Sequence, residues 1–203
     1  MENVTDALNI WNASRDGFYQ QEDAVTDLEQ LRYPVGRFER LKAPLDAAAR
    51  AAHIDIIQAT PETFLSLVAG RTELQLDTPY RPGGWTVRQV IHHVPDSHMN
   101  AYIRMKFAVT EDTPAIKAYD EAKWAELPEA KTGPADMSLA LLAVLHRRWV
   151  MFLRALSAAD FAKAYLHPEM GKVTLDEALA MYSWHCRHHA GHLEKGLGLR
   201  AQG

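Results

Sequence analysis

TLDEALAMYSWHCRHHAGHLEKGLG, residues 174–198, combines the pattern of an amphipathic helix with four of the chain's ten histidines. Thr174 and Glu177 stand in the spacing of a capping box, which predicts a helix start, and Gly196 and Gly198 predict its end. Leu175, Leu179, Tyr182, Cys186 and Leu193 recur at helical intervals and define the face that seeks a core. At about 100° per residue, His189 lies roughly 30° from that direction and His185 about 70°; His192 lies near 90° and His188 near 130°. Two HxxxH pairs therefore compete, and the phase turns His185 and His189 inward. It leaves His192 at the rim and His188 in solvent. Cys186, on the apolar face, reads as a small buried hydrophobe rather than a reactive thiolate.

Working outward, three more segments carry helical patterning. About Leu45 to Val68 is one, with Pro61 expected to kink or split it because proline removes an internal hydrogen bond. The second is GGWTVRQVIHHVPDSHMNAYIRMKFAVT, residues 83–110. There Thr86 is the expected N-cap, Val87, Val90, Ile91 and Val94 set the apolar phase, and Pro95 should kink the helix. The third covers about Met137 to Leu156, with Leu141, Leu142, Leu145, Trp149 and Phe152 as its stripe. No hairpin signal intervenes, and residues 70–85 and 110–136 read as long loops. Four amphipathic helices joined by such loops predict an all-α fold, a four-helix bundle. Residues 1–30, in which Arg15 is the only basic residue among seven acidic ones, are expected to be an acidic N-terminal extension to a bundle over 31–203.

The totals narrow the function classes. A chain of 203 residues with 47% hydrophobic and 24% charged residues is an ordinary globular domain. Its net charge of -4 gives no basic surface for nucleic acid. No apolar run reaches the roughly 18 residues of a membrane span, and the start lacks a secretory pattern, so a cytoplasmic protein is expected. A single cysteine agrees with a reducing compartment.

Two imidazoles on one helix make a weak site, because a catalytic zinc-type centre takes three protein ligands and leaves a position for water. The third must come from elsewhere. Phase favours His98, in register with Val87, Ile91 and Val94, over His93, which lies off the local stripe; Pro95 keeps both open. His53, His146 and His167 read as hydrogen-bonded or solvated. Trp85, Trp149 and Trp184 read as core or pocket wall. Arg104 could receive an anionic substrate group, although an ion pair with an acidic neighbour is its ordinary role. Asp120, Glu121 and Glu126 read as a solvated loop. Gly83-Gly84 lacks the P-loop lysine, and Ser97 lacks a nucleophile elbow.

The long stretches LDTPYRPGGWTVRQVIHHVPDSHMNAYIRMKFAVTEDTPAIKAYDEAKWAEL, SLALLAVLHRRWVMFLRAL and HPEMGKVTLDEALAMYSWHCRHHAGHL resemble the YfiT branch of the DinB superfamily, over about Leu31 to Leu197. The resemblance implies a helical bundle, often homodimeric, that binds one divalent metal ion through three histidines. One follows a tryptophan by eight residues, which here points from Trp85 to His93. The other two form an HxxxH pair on the last helix, which maps to His185 and His189. His98, Arg104 and Tyr182 then remain as pocket residues, or in the case of His98 as a residue that orients a ligand.

A three-histidine centre with an open position supports a metal-dependent hydrolase that activates water, acting on a small-molecule substrate. Two alternatives are a metal-dependent S-transferase acting on a low-molecular-weight thiol such as bacillithiol or mycothiol, and a metal-binding stress protein without turnover. Zinc and nickel are the expected ions, with iron and manganese also compatible. The sequence singles out no catalytic base.

Overall fold

The computed structural model describes residues 28–199; most of the acidic stretch 1–30 lies outside them. Four long helices dominate: α1 (Ala47–Val68), α3 (Val87–Thr110), α6 (Ala135–Ala155) and α8 (Leu175–Gly196). α1 packs on α6 and α8, and α3 packs on the same two, so α1 and α3 occupy opposite corners of the bundle. Shorter helices join them: α2 (Glu73–Leu76), α4 (Glu121–Ala125), α5 (Pro128–Thr132) and α7 (Ala158–Phe161). Both α1 and α3 run unbroken through their prolines, Pro61 and Pro95.

The helix starts follow their caps. Thr86 accepts from the Gln89 amide while the Gln89 side chain reaches back to the Thr86 amide. At α8 only half of the expected box forms: Thr174 accepts from the Glu177 amide, but the Glu177 carboxylate turns to the Arg40 guanidinium, Nη2 to Oε2 2.9 Å. Gly198, at φ +65°, closes the helix; Gly196 serves another purpose, since a Cβ there would stand 2.5 Å from Val87 Cγ2. Its missing side chain lets α8 approach the start of α3.

Two expectations need correction. Residues Ala164–His167 (β1) and Gly171–Thr174 (β2) form an antiparallel hairpin, with Ala164 opposite Thr174 and His167 opposite Gly171. Four residues per strand are too few for alternation to stand out, and the turn needs only Gly171 at φ +70°. The presumed loops also hold helices, α2 within 70–85 and α4 and α5 within 110–136, each about a single turn that periodicity cannot register.

The core is divided along the bundle axis. One apolar cluster gathers Ile57, Met105, Trp149, Leu153, Leu179 and Tyr182; the other gathers Phe64, Val90, Val94, Leu142 and Leu193. Between them every long helix contributes a buried polar residue: Thr60 from α1, His98 from α3, His146 from α6 and His189 from α8. A polar layer thus interrupts the core. Such a layer costs stability unless each group finds a partner.

Candidate metal centre

His93, His185 and His189 converge at this layer, each offering a ring nitrogen within 4.8 Å of the others. His93 comes from α3 and the pair from one face of α8, one turn apart. The Nε2 atoms of His93 and His185 are 3.4 Å apart. Two nitrogens bound to one tetrahedral ion at about 2.0–2.1 Å would stand roughly 3.3–3.4 Å apart, so the pair is spaced for a shared cation. Burial pushes His93 down to about 4 and holds His185 and His189 well below the ordinary imidazole value, with neighbouring imidazoles adding to the effect. All three are therefore neutral near pH 7, the form that donates a lone pair to a metal. Spacing, neutrality and donor chemistry fit a divalent transition metal.

His98 is fully buried, as its phase predicted, but stands behind the triad. Its Nε2 meets His185 Nδ1 at 3.0 Å and its Nδ1 meets His146 Nε2 at 2.7 Å. His146 Nδ1 donates to the Ile57 carbonyl at 2.6 Å. His93 lies off the apolar stripe because it faces the pocket rather than the core, which is why phase ranked it lower. His53 bonds Ser183 at 2.9 Å, and the His167 ring accepts from the Glu169 amide at 3.2 Å.

The other face of α8 differs from the expectation. His188 is only 8% exposed and His192 only 3%, and with His189 they form a second group of three ring nitrogens within 4.8 Å. The cover comes from residues 32–38, a strap outside the four helices that leaves a helical turn at Arg32 and turns again at residues 34–35. The Arg32 carbonyl accepts from His192 Nε2 at 3.1 Å, the Gly36 carbonyl accepts from the Trp184 indole at 3.0 Å, and the Tyr33 ring lies 6.0 Å from His188. Pro34 comes so close that a Cβ on Gly191 would stand 2.7 Å from its Cγ. Helical phase cannot see a segment that docks from outside the bundle.

Above the triad opens a cavity of about 650 Å³. Trp85 and Trp184 form part of its wall, as expected, while Trp149 is core. Tyr182 and Tyr119 line it as well, and burial raises both phenols, so they are protonated donors. Arg104 also lines it, 7% exposed; its Nη2 donates to the Lys117 carbonyl at 2.9 Å, and no carboxylate pairs with it among the described residues. The expected ion pair is thus replaced by a backbone contact. Glu121, read as a solvated loop residue, contributes to the wall. Cys186 is buried outside both histidine groups, its thiol pushed up to about 12 by burial.

These features define a class: helical bundles with a buried polyhistidine centre beneath an open pocket. The chain belongs to the DinB superfamily, whose profile matches residues 56–193. It is 48% identical over 166 residues to a Bacillus cereus (strain 03BB102) protein provisionally named a metal-dependent hydrolase, covering 82% of this chain and 95% of that one. A Bacillus licheniformis protein with the same provisional name is 48% identical over 170 residues, with the same coverage. Among solved structures, YfiT from Bacillus subtilis, described as a probable metal-dependent hydrolase with an unusual four-helix bundle topology, superposes with a TM-score of 0.80 at 43% identity, over 84% of this chain and 99% of that one.

Proposed function

We propose that this chain is a divalent-metal-dependent hydrolase acting on a small molecule, with the ion held by His93, His185 and His189. The observation that carries the reading is the convergence of three neutral imidazoles, His93 and His189 buried and His185 half-buried, from two helices on the floor of an open cavity. The names of the relatives point the same way. A divalent ion bound there supplies an acidified water and polarises an electrophilic carbonyl or equivalent.

The chain's own residues do the rest. The three rings provide lone pairs without positive charge. Trp85 and Trp184 give the chamber an apolar wall beside the triad. The Tyr182 hydroxyl, kept protonated by burial, can donate to a substrate oxygen, and the Arg104 guanidinium can hold an anionic substituent. About 650 Å³ admits a metabolite-sized substrate and excludes a folded polymer.

The test is turnover of a panel of small chromogenic esters and amides by tag-free protein loaded with zinc or nickel. Hydrolysis that needs no thiol, stops with chelator and is absent from His189→Ala is expected. Conjugation of an electrophile that requires an added low-molecular-weight thiol would replace the hydrolase by a transferase. Stoichiometric metal with no turnover of either kind would leave a binding protein.

A further inference from the structure

We propose that two imidazole relays, each anchored on a backbone carbonyl, fix the tautomers of His185 and His189 so that each keeps its Nε2 lone pair free for a cation. This rests on the metal-centre reading, but the tautomers themselves can be tested without a metal.

A carbonyl can only accept, so each anchor dictates the direction of every bond that follows. The first anchor is the Ile57 carbonyl. Four residues later stands Pro61, which has no N–H, so this carbonyl lacks the partner it would have in an unbroken helix ladder. His146 Nδ1 lies 2.6 Å from it and must carry the proton. The neutral His146 ring then presents Nε2 as an acceptor, and the partner at 2.7 Å, His98 Nδ1, must donate. His98 is left with an accepting Nε2, so His185 donates through Nδ1 at 3.0 Å. The remaining lone pair of His185 is on Nε2, the atom that faces His93.

The second relay obeys the same logic on the other side. The Arg32 carbonyl, 3.1 Å away, requires the proton on His192 Nε2. His192 Nδ1 then accepts from His189 Nδ1 at 3.2 Å, leaving Nε2 of His189 unprotonated. In both cases a neutral ring is required, and burial supplies neutrality: His98 is fully buried and His192 nearly so. Reversing either chain would set two lone pairs or two protons against each other in a dry layer.

His146, His98 and His192 are thus positioning residues. Pro61 takes a role beyond any helix kink, since it leaves free the carbonyl on which the longer relay ends. Partners that orient a ligand in this way are worth roughly 10–100-fold in metal affinity.

The experiment is long-range proton–nitrogen NMR on the full chain labelled with nitrogen-15 histidine, metal-free, near pH 7.5. Protons are expected on Nδ1 of His146, His98, His185 and His189, and on Nε2 of His192. An Nε2-protonated His98 or His185 overturns the longer relay, and an Nε2-protonated His189 overturns the shorter one. A second measurement is zinc affinity by competition with a chromophoric chelator. His98→Phe should bind roughly 10–100-fold more weakly, with the His185 proton redistributed between its two nitrogens, whereas His98→Gln, which can both donate and accept, should recover much of the loss. Unchanged affinity in folded His98→Phe would overturn the proposal. If that variant does not fold, the tautomers of the unmodified chain decide. Correct tautomers without hydrolysis would leave the relays standing and remove only the hydrolase reading.

Discussion

His93 and His185, 92 residues apart in sequence, bring their Nε2 atoms to 3.4 Å across the interface of α3 and α8. The group formed by His93, His185 and His189 draws a ring from each helix, so removing either ring takes away the crossing contact. His93→Ala and His185→Ala should each lose metal by more than the roughly 10–100-fold typical of an orienting partner, with far-UV circular dichroism unchanged. His188→Ala should keep its metal, because His188 lies outside the triad. Metal analysis after gel filtration checks both, and equal loss in all three variants would show that the wrong group had been chosen.

Acid should unfold the metal-free protein early. His93, His146 and His188 are lowered to about 4 and His192 to about 3, all chiefly by burial. In the unfolded chain each titrates near its ordinary value of about 6.5. Between these values the unfolded state binds more protons, so stability is complete above about pH 6.5 and drains away as pH falls towards 4. The slope is on the order of 1 kcal/mol per pH unit for each such histidine. Urea midpoints measured from pH 7.5 to 4.5 should fall steeply; a flat profile would mean that these rings are already protonated in the folded state.

Cys186 should be inert until the fold opens. With its thiol buried and raised to about 12, almost no thiolate exists at pH 8. A disulfide reagent that releases a coloured thiol should react over hours with native protein and within minutes in guanidinium chloride. Rapid reaction of native protein would place the sulfur in the pocket.

Gly191→Ala should loosen the strap without melting the bundle. The added carbon would meet Pro34 at under 3 Å, so residues 33–36 must move outward. The expected cost is about 1–3 kcal/mol, as for other overpacked contacts. Trp184 would lose its bond to the Gly36 carbonyl, and its fluorescence should shift to the red. Emission identical to the unmodified protein would show that the strap accommodates a methyl group.

The four helices were legible because each carries a long apolar stripe, and Thr86 and Thr174 marked two starts correctly. The hairpin and the one-turn helices were not, being shorter than the period that would reveal them. At the site, phase on α8 turned His185 and His189 inward, and the structure brings both beside His93. It misplaced His188 and His192 because their cover comes from Tyr33, Arg32 and Tyr80, far away in sequence. On α3 the same reasoning found the deepest histidine, His98, where the ligand candidate is the one that turns aside to the cavity. Resemblance to the family supplied His93.

Because the strap closes one side of the pocket from outside the bundle, the protein separates two tasks along its sequence. Residues 87–196 hold the histidine centre, and Arg32 and Tyr33 of the strap add to the chamber wall beside loop residues such as Tyr80 and Tyr119. A change at Tyr33 would therefore alter the wall of the chamber while the triad stays intact.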